Sequence, residues 1–330
     1  MALVIPRRTA GYLLLSALIL CLATRFYALP ARPDEALLRT GWLAGQMPGW
    51  DPSSELGRPL LTATRAGPWY PLNALILLVP LGLADVLRLF AAFSLAGIGT
   101  WLWHVARFGA RVALADAFAA QIAGLCLVSV ASPSALDAFL WAPWMLWAIE
   151  RRRGRELCVA SALSILGGVP LCSLLALGLA LLSLLLAHRH MLGWLALGVC
   201  LAALAWVPLL ESRSWTPHAG TRAPPQLVGD PQARILQNRE APDRLDASVA
   251  SEHGGLLVFH EAWHPGWKAT VAGEDAPVEC VDGLYRGVRL PAGTLIVRTK
   301  FEPFSLRLGA WTSFCALTLL VLLARPRRVA

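Results

Sequence analysis

Six stretches of this chain contain no Asp, Glu, Lys or Arg: Thr9–Thr24, Leu89–Ala106, Ala117–Leu136, Leu157–Ala187, Met191–Leu210 and Leu308–Ala324. A helix needs about 20 apolar residues to cross the hydrocarbon of a bilayer, and most of these runs approach that length. A water-soluble domain could not hide so many helices that are apolar all round. The sequence therefore predicts a polytopic α-helical membrane protein. Of its 330 residues 56% are hydrophobic and only 15% charged, against about a quarter charged in ordinary soluble domains.

The net charge of +8 does not point to nucleic acid, because the cations flank the apolar runs. Arg7, Arg8, Arg107, Arg111, Arg151, Arg152, Arg153, Arg155, Arg189, Arg325, Arg327 and Arg328 all do so. Across Glu211–Glu302 the balance is slightly acidic, 12 Asp and Glu against 10 Lys and Arg. Basic residues in short loops mark the cytoplasmic side, so the positive charge is a topology signal. Cys280 is alone in the polar segment, the other six cysteines lie in apolar runs, and no Cys/His spacing fits a zinc site.

Arg7 and Arg8 place the N-terminus inside. No A-x-A site follows the first run, so it is expected to stay as an anchor rather than leave as a signal peptide. The 31 residues Leu157–Ala187 would make one helix of about 46 Å, too long for a core of about 30 Å. A break at Gly167-Gly168-Val169-Pro170, with two crossings, puts every basic cluster on one side. The result is about eight crossings with both termini cytoplasmic. Residues 1–210 form a helical domain with an outer loop at 29–70, and 71–83 is a short interfacial piece. Residues 211–244 read as a linker, 245–306 as a small extracytoplasmic β-sandwich, and 307–330 as a last helix and basic tail. Within the β-domain, Gly255–His260 is a strand. Trp267–Ala272 and Ala276–Val281 flank a Gly273-Glu274-Asp275 turn, and Tyr285–Leu290 and Thr294–Thr299 flank Pro291-Ala292-Gly293.

Several motifs, in order, resemble the YfhO family. Glu261-Ala262-Trp263-His264-Pro265-Gly266-Trp267-Lys268-Ala269, Tyr285-Arg286-Gly287-Val288, Leu290-Pro291-Ala292-Gly293 and Phe301-Glu302-Pro303 look like its C-terminal domain. Gly45-Gln46-Met47-Pro48-Gly49-Trp50-Asp51-Pro52, Gly57-Arg58-Pro59-Leu60 and Gly67-Pro68-Trp69-Tyr70-Pro71-Leu72-Asn73 look like its first outer loop. Gly168-Val169-Pro170 stands where that family has Gly-His-Pro. YfhO proteins are similar to the GT-C class of membrane glycosyltransferases. The resemblance implies transfer of a sugar from a polyprenyl-phosphate carrier to a cell-envelope glycan acceptor, at the outer face of the inner (cytoplasmic) membrane. It also implies an acidic catalytic residue soon after the first helix, and Asp34-Glu35 hold that position.

Such a transfer needs a carboxylate within reach of the acceptor hydroxyl and a cationic or dipolar partner for the leaving phosphate. Asp34 and Glu35 are the candidate bases. Arg58 and Arg65 are candidates for the phosphate, Arg being suited to bidentate contact, and Tyr70 and Asp137 for substrate contact, an acid near the membrane often serving function. No cofactor is assigned; a divalent cation is an open alternative for the phosphate-neutralising role. The alternative reading is a non-catalytic protein that binds carrier lipid or glycan, since Val169 replaces the family's histidine and the chain is short for it.

Overall fold

A computed structural model describes residues 5–24, 33–45, 49–52, 56–60, 68–110, 113–130, 133–211, 223–241 and 243–324. The helices are α1 (Arg7–Thr24), α2 (Pro33–Leu43), α3 (Leu75–Leu78), α4 (Leu81–Arg107), α5 (Ala113–Val130), α6 (Pro133–Phe139) and α7 (Ala142–Glu150). They continue with α8 (Gly154–Leu166), α9 (Pro170–Ala187), α10 (Leu192–Leu201), α11 (Ala203–Glu211) and α12 (Phe304–Ala324). The strands are β1 (Trp50–Asp51), β2 (Arg58–Pro59), β3 (Gln226–Val228), β4 (Arg234–Ala241), β5 (Arg244–Ser251) and β6 (Gly255–Ala262). β7 (Trp267–Val271), β8 (Glu274–Ala276), β9 (Val278–Val281), β10 (Tyr285–Leu290) and β11 (Gly293–Phe301) complete them. Two compact units result. One holds residues 1–39, 63–206 and 309–330; the other holds residues 40–62 and 207–308.

In the helical unit α1, α4 and α5 pack together through small and branched side chains, with Ala17, Cys21, Ala92, Phe93 and Ala96 buried. Gln121 crosses this contact, donating to the carbonyls of Leu13 and Phe93 at 3.0 and 3.2 Å. Its Oε1 accepts from Ser16 at 2.5 Å. A buried amide satisfied this fully pins the three helices in register. Among the described residues, four helices are long and apolar enough to cross a membrane: α1, α4, α9 and α12. A fifth span exists if the pair Arg189–Leu201 and Ala203–Glu211, bent by 65°, acts as one. That falls short of eight. Within 112–132, one of the eight expected crossings, Ala113–Val128 is an apolar helix shorter than a span. Residues 137–150, expected as another short crossing, are divided between α6 and α7, and α8 has 13 residues. The break expected near Gly167 is present: α8 stops at Leu166, Gly168 takes φ +105°, and Pro170 starts α9.

The other unit is a sandwich of two antiparallel sheets, ordered β3-β6-β10-β9 and β4-β5-β11-β7-β8. β5 alternates buried residues with half-buried ones after the exposed Arg244, the period-two pattern of a strand with one covered face. Leu245, Ala247 and Val249 of β5 meet Leu257, Phe259, Val288 and Val297 in the shared core. Ala272 and Gly273 both take positive φ, 52° and 95°, between the paired Val271 and Glu274. This is a two-residue hairpin loop whose twist suits the strands. β8 ends at Ala276, and after Pro277 the chain crosses to the other sheet as β9.

Three sequence expectations change. The linker 211–244 contains β3 and β4, and β5 starts at its last residue; within it, 212–222 and 242 lie outside the described residues. The hairpin turn expected at Gly273-Glu274-Asp275 is Ala272-Gly273 instead, because Glu274 and Asp275 pair with Val271 and Thr270 in β8, and Val278–Val281 belongs to the other sheet. The outer loop 29–70 is not one irregular segment, since it carries α2, β1 and β2, and its residues 40–62 belong to the sandwich unit.

That membership has a clear cause. Trp50 is fully buried, with ring centroids 5.2 Å from Trp267, 5.1 Å from Phe301 and 6.4 Å from His264. The Ala262 amide donates to the Leu56 carbonyl at 2.8 Å. The amides of Gly49 and Trp50 donate to Asp243 Oδ1 at 2.5 and 2.8 Å. A Cβ on Gly57, which takes φ +88°, would lie 2.4 Å from Trp50 Nε1. Glycine is therefore required there both by conformation and by space.

Candidate functional site

Pro33 opens α2, and the acids Asp34 and Glu35 follow in its first turn. Proline at the first helical position and acids beside it suit the free amides and positive end of the helix dipole. Both acids are nonetheless buried, at 7% and 3% exposure. Glu35 Oε1 accepts from Arg88 Nη1 at 3.0 Å. Arg88, on α4, is itself 3% exposed and reaches a second acid: its Nε lies 2.9 Å from Asp137 Oδ2. Nη1 also donates to Asn73 Oδ1 at 2.8 Å. One guanidinium thus ties together α2, the turn at Pro71–Ala74, α4 and α6. Among the described residues Nη2 of Arg88 meets no hydrogen-bond acceptor.

Tyr70 and Trp141 border this cluster. The indole of Trp141 donates to the Tyr70 hydroxyl at 3.2 Å. Burial pushes the Tyr70 phenol well above its ordinary range, and the charge of Asp137 adds to that rise. Tyr70 therefore stays neutral and acts by hydrogen bonding.

Asp137 is joined to the broken helix. α6 is almost wholly buried. Ser164 of α8 donates to the Ala138 carbonyl at 2.7 Å, and Ser173 of α9 donates to the Ser164 carbonyl at 2.7 Å. A Cβ on Gly167 would lie 2.6 Å from the Ala138 amide nitrogen. The acidic first turn and the Gly167–Pro170 break are thus two ends of one connected structure.

Of the residues singled out in the sequence, Glu35, Tyr70 and Asp137 converge here, and Asp34 sits beside Glu35 on the same helical turn. Arg58 does not join them. It belongs to the sandwich unit, where its Nε pairs with Asp51 Oδ2 at 3.2 Å. Arg65 lies outside the described residues. The cation at the centre, Arg88, escapes sequence inspection because it stands just before the uncharged run Leu89–Ala106. The available signal was an arginine seven residues inside a helix long enough to span, where an ionisable group needs a partner. No group of three or more His, Cys, Asp or Glu able to hold a metal occurs among the described residues.

Compared with known proteins, the chain matches no family model, no curated protein and no solved structure.

Proposed function

We propose that this chain is a multi-pass glycosyltransferase of GT-C-like architecture, acting in the inner membrane. It would move a sugar from a polyprenyl-phosphate donor to a cell-envelope glycan on the outer face. The observation carrying this reading is the Glu35–Arg88–Asp137 cluster, built where the YfhO resemblance expects catalytic acids. In the reaction, the anomeric carbon–oxygen bond to phosphate breaks and its electron pair leaves with the phosphate. The acceptor oxygen bonds the anomeric carbon from the opposite face and gives its proton to a carboxylate. Asp34 and Glu35 are the candidate bases, with Glu35 held in place by Arg88. Nη2 of Arg88, buried in the cluster, meets no acceptor among the described residues, and a guanidinium suits a phosphate oxygen.

The topology proposed with this function has eight crossings, α5, α6–α7 and α8 serving as short segments against protein rather than lipid. Residues 40–62 and 223–303 build one sandwich unit, which supports a single compartment for the first loop and the β-strands. The charge pattern makes that compartment the outer one.

A second reading has its own support. Two acids satisfied by one arginine make a structural cluster as readily as a reactive one, which favours a protein that binds carrier lipid or glycan without turning it over. Purified protein in lipid, given a labelled polyprenyl-phosphate sugar and no partner, separates the two. Transfer that falls about 10²–10⁴-fold in Asp34→Asn supports the enzyme. Carrier binding without transfer in the wild type supports the binding protein.

A further inference from the structure

The sandwich unit has a cleft of about 360 Å³ where β11 ends and α12 begins. Asp243, Lys300, Phe301, Glu302, Leu306 and Arg307 line it. We propose that this cleft holds the phosphate of an anionic bilayer lipid, with Arg307 as its principal ligand and Lys300 as a second.

The argument starts from α12. This helix is long and apolar enough to span, and most of its surface is exposed. Phe304, Leu308, Trp311 and Phe314 are 69%, 47%, 66% and 61% exposed. Arg307 is exposed too, three residues after Phe304 and four before Trp311. At those spacings it shares their face of the helix. A cation on a lipid-facing face needs a counter-ion at the headgroup level, and among the described residues Arg307 makes no ion pair.

The acids of the cleft already have partners. Glu302 pairs with Lys300 at 2.6 Å and with Lys268 at 3.5 Å. Asp243 points its Oδ1 at the amides of Gly49 and Trp50. The cleft therefore offers an arginine with no ion-pair partner among the described residues, a lysine whose acid is shared with a second lysine, and an apolar wall of Phe301 and Leu306. Its position at the start of a span selects a lipid headgroup over a soluble anion. The volume falls within the range of small-molecule sites.

The proposal rests on α12 lying in a bilayer. The test uses the full chain in nanodiscs with equal phosphatidylglycerol and phosphatidylcholine, followed by native mass spectrometry of the released protein. The expected result is phosphatidylglycerol retained roughly tenfold over phosphatidylcholine, with the preference lost in Arg307→Gln and in the Lys300→Gln/Arg307→Gln pair. Arg298→Gln, which removes an exposed arginine of β11 outside the cleft, should keep it. Equal retention of both lipids by the wild type, or an equal loss in Arg298→Gln, overturns the proposal. Displacement of the lipid by millimolar inorganic phosphate also overturns it, in favour of a free-phosphate site. A chain that does not stay in the disc fails at a different point, since it removes the membrane reading itself.

Discussion

Trp50, from the stretch after the first long helix, meets Trp267 of β7 edge-to-face at 5.2 Å. Chain segments separated by most of the helical unit therefore share one aromatic core, with Leu56, Ala262 and Phe301 completing it. Trp50→Ala should destabilise the sandwich unit by about 3–5 kcal/mol, the usual cost of removing a large buried aromatic. Gly57→Ala should also destabilise it, because the new methyl group collides with the Trp50 indole at a backbone angle that disfavours L residues. Thermal unfolding and protease cleavage within residues 40–62 provide the measurement. Cleavage in Trp50→Ala no faster than in wild type would show that the ring does not anchor the segment.

A shared core demands a shared compartment. Cys280 is exposed, and so is Leu43, at 64%. In a background without other cysteines, Cys280 alone and Leu43→Cys alone should react with an impermeant maleimide from the same side of sealed vesicles. Labelling from opposite sides is incompatible with the sandwich unit as described.

The buried Arg88 cluster gives a thermodynamic prediction. Arg88→Met leaves Glu35 and Asp137 buried without their cation and should cost about 3–5 kcal/mol. Adding Glu35→Gln and Asp137→Asn to Arg88→Met should recover much of that loss, because the charges that needed compensation are then gone. Unfolding of the single and triple variants in detergent checks this. Wild-type stability in Arg88→Met would mean that the guanidinium does not hold these elements together.

Two groups of the sandwich unit respond to pH in opposite senses. Burial holds His264 down to about 4, and its Nδ1 accepts from the Gly266 amide at 2.9 Å, as a neutral ring does. Unfolded histidine takes a proton below about pH 6.5, so stability falls as the pH drops from there to about 4, by roughly 3 kcal/mol. Burial raises Asp243 to about 6, against the hydrogen bonds from Trp50 and Gly49. Folded Asp243 therefore takes its proton before the unfolded chain does, and its contribution rises as the pH falls from about 6 to about 4. In Asp243→Asn the His264 slope should stand alone and steepen. In His264→Asn, which keeps an acceptor for Gly266, it should reverse. Unfolding midpoints between pH 4 and 7 decide, and parallel curves for both variants would refute the assignment.

Elements with a strong local code were legible in the chain. The uncharged runs became helices because no other structure buries such segments, and the Gly167–Pro170 break falls where a glycine pair and a proline stop one helix and start the next. The β-strands after residue 255 carry alternation and turn residues. β4 was missed because Arg234–Ala241 has few apolar residues and reads as solvated chain; it lies at an edge of its sheet. β5 falls within the β-domain expected from residue 245 but is not picked out as a strand of its own, because its inward positions include alanine, a weak strand signal. At the candidate site the acids were visible as charges next to a span. Their partner Arg88 was not, since proximity between α2, α4 and α6 is a property of packing. The placement of Trp50 is of the same kind: no local pattern states that a loop residue completes a distant sandwich.

Residues 40–62 emerge from the ribosome long before β11. Their docking surface includes Phe301, near the end of the last strand. The early segment therefore stays unclasped, with its tryptophan uncovered, while the intervening helices are made, and it can lock only when translation is nearly finished. A chain truncated before β11 would keep most of its hydrophobic helices and still present an open aromatic surface to quality control.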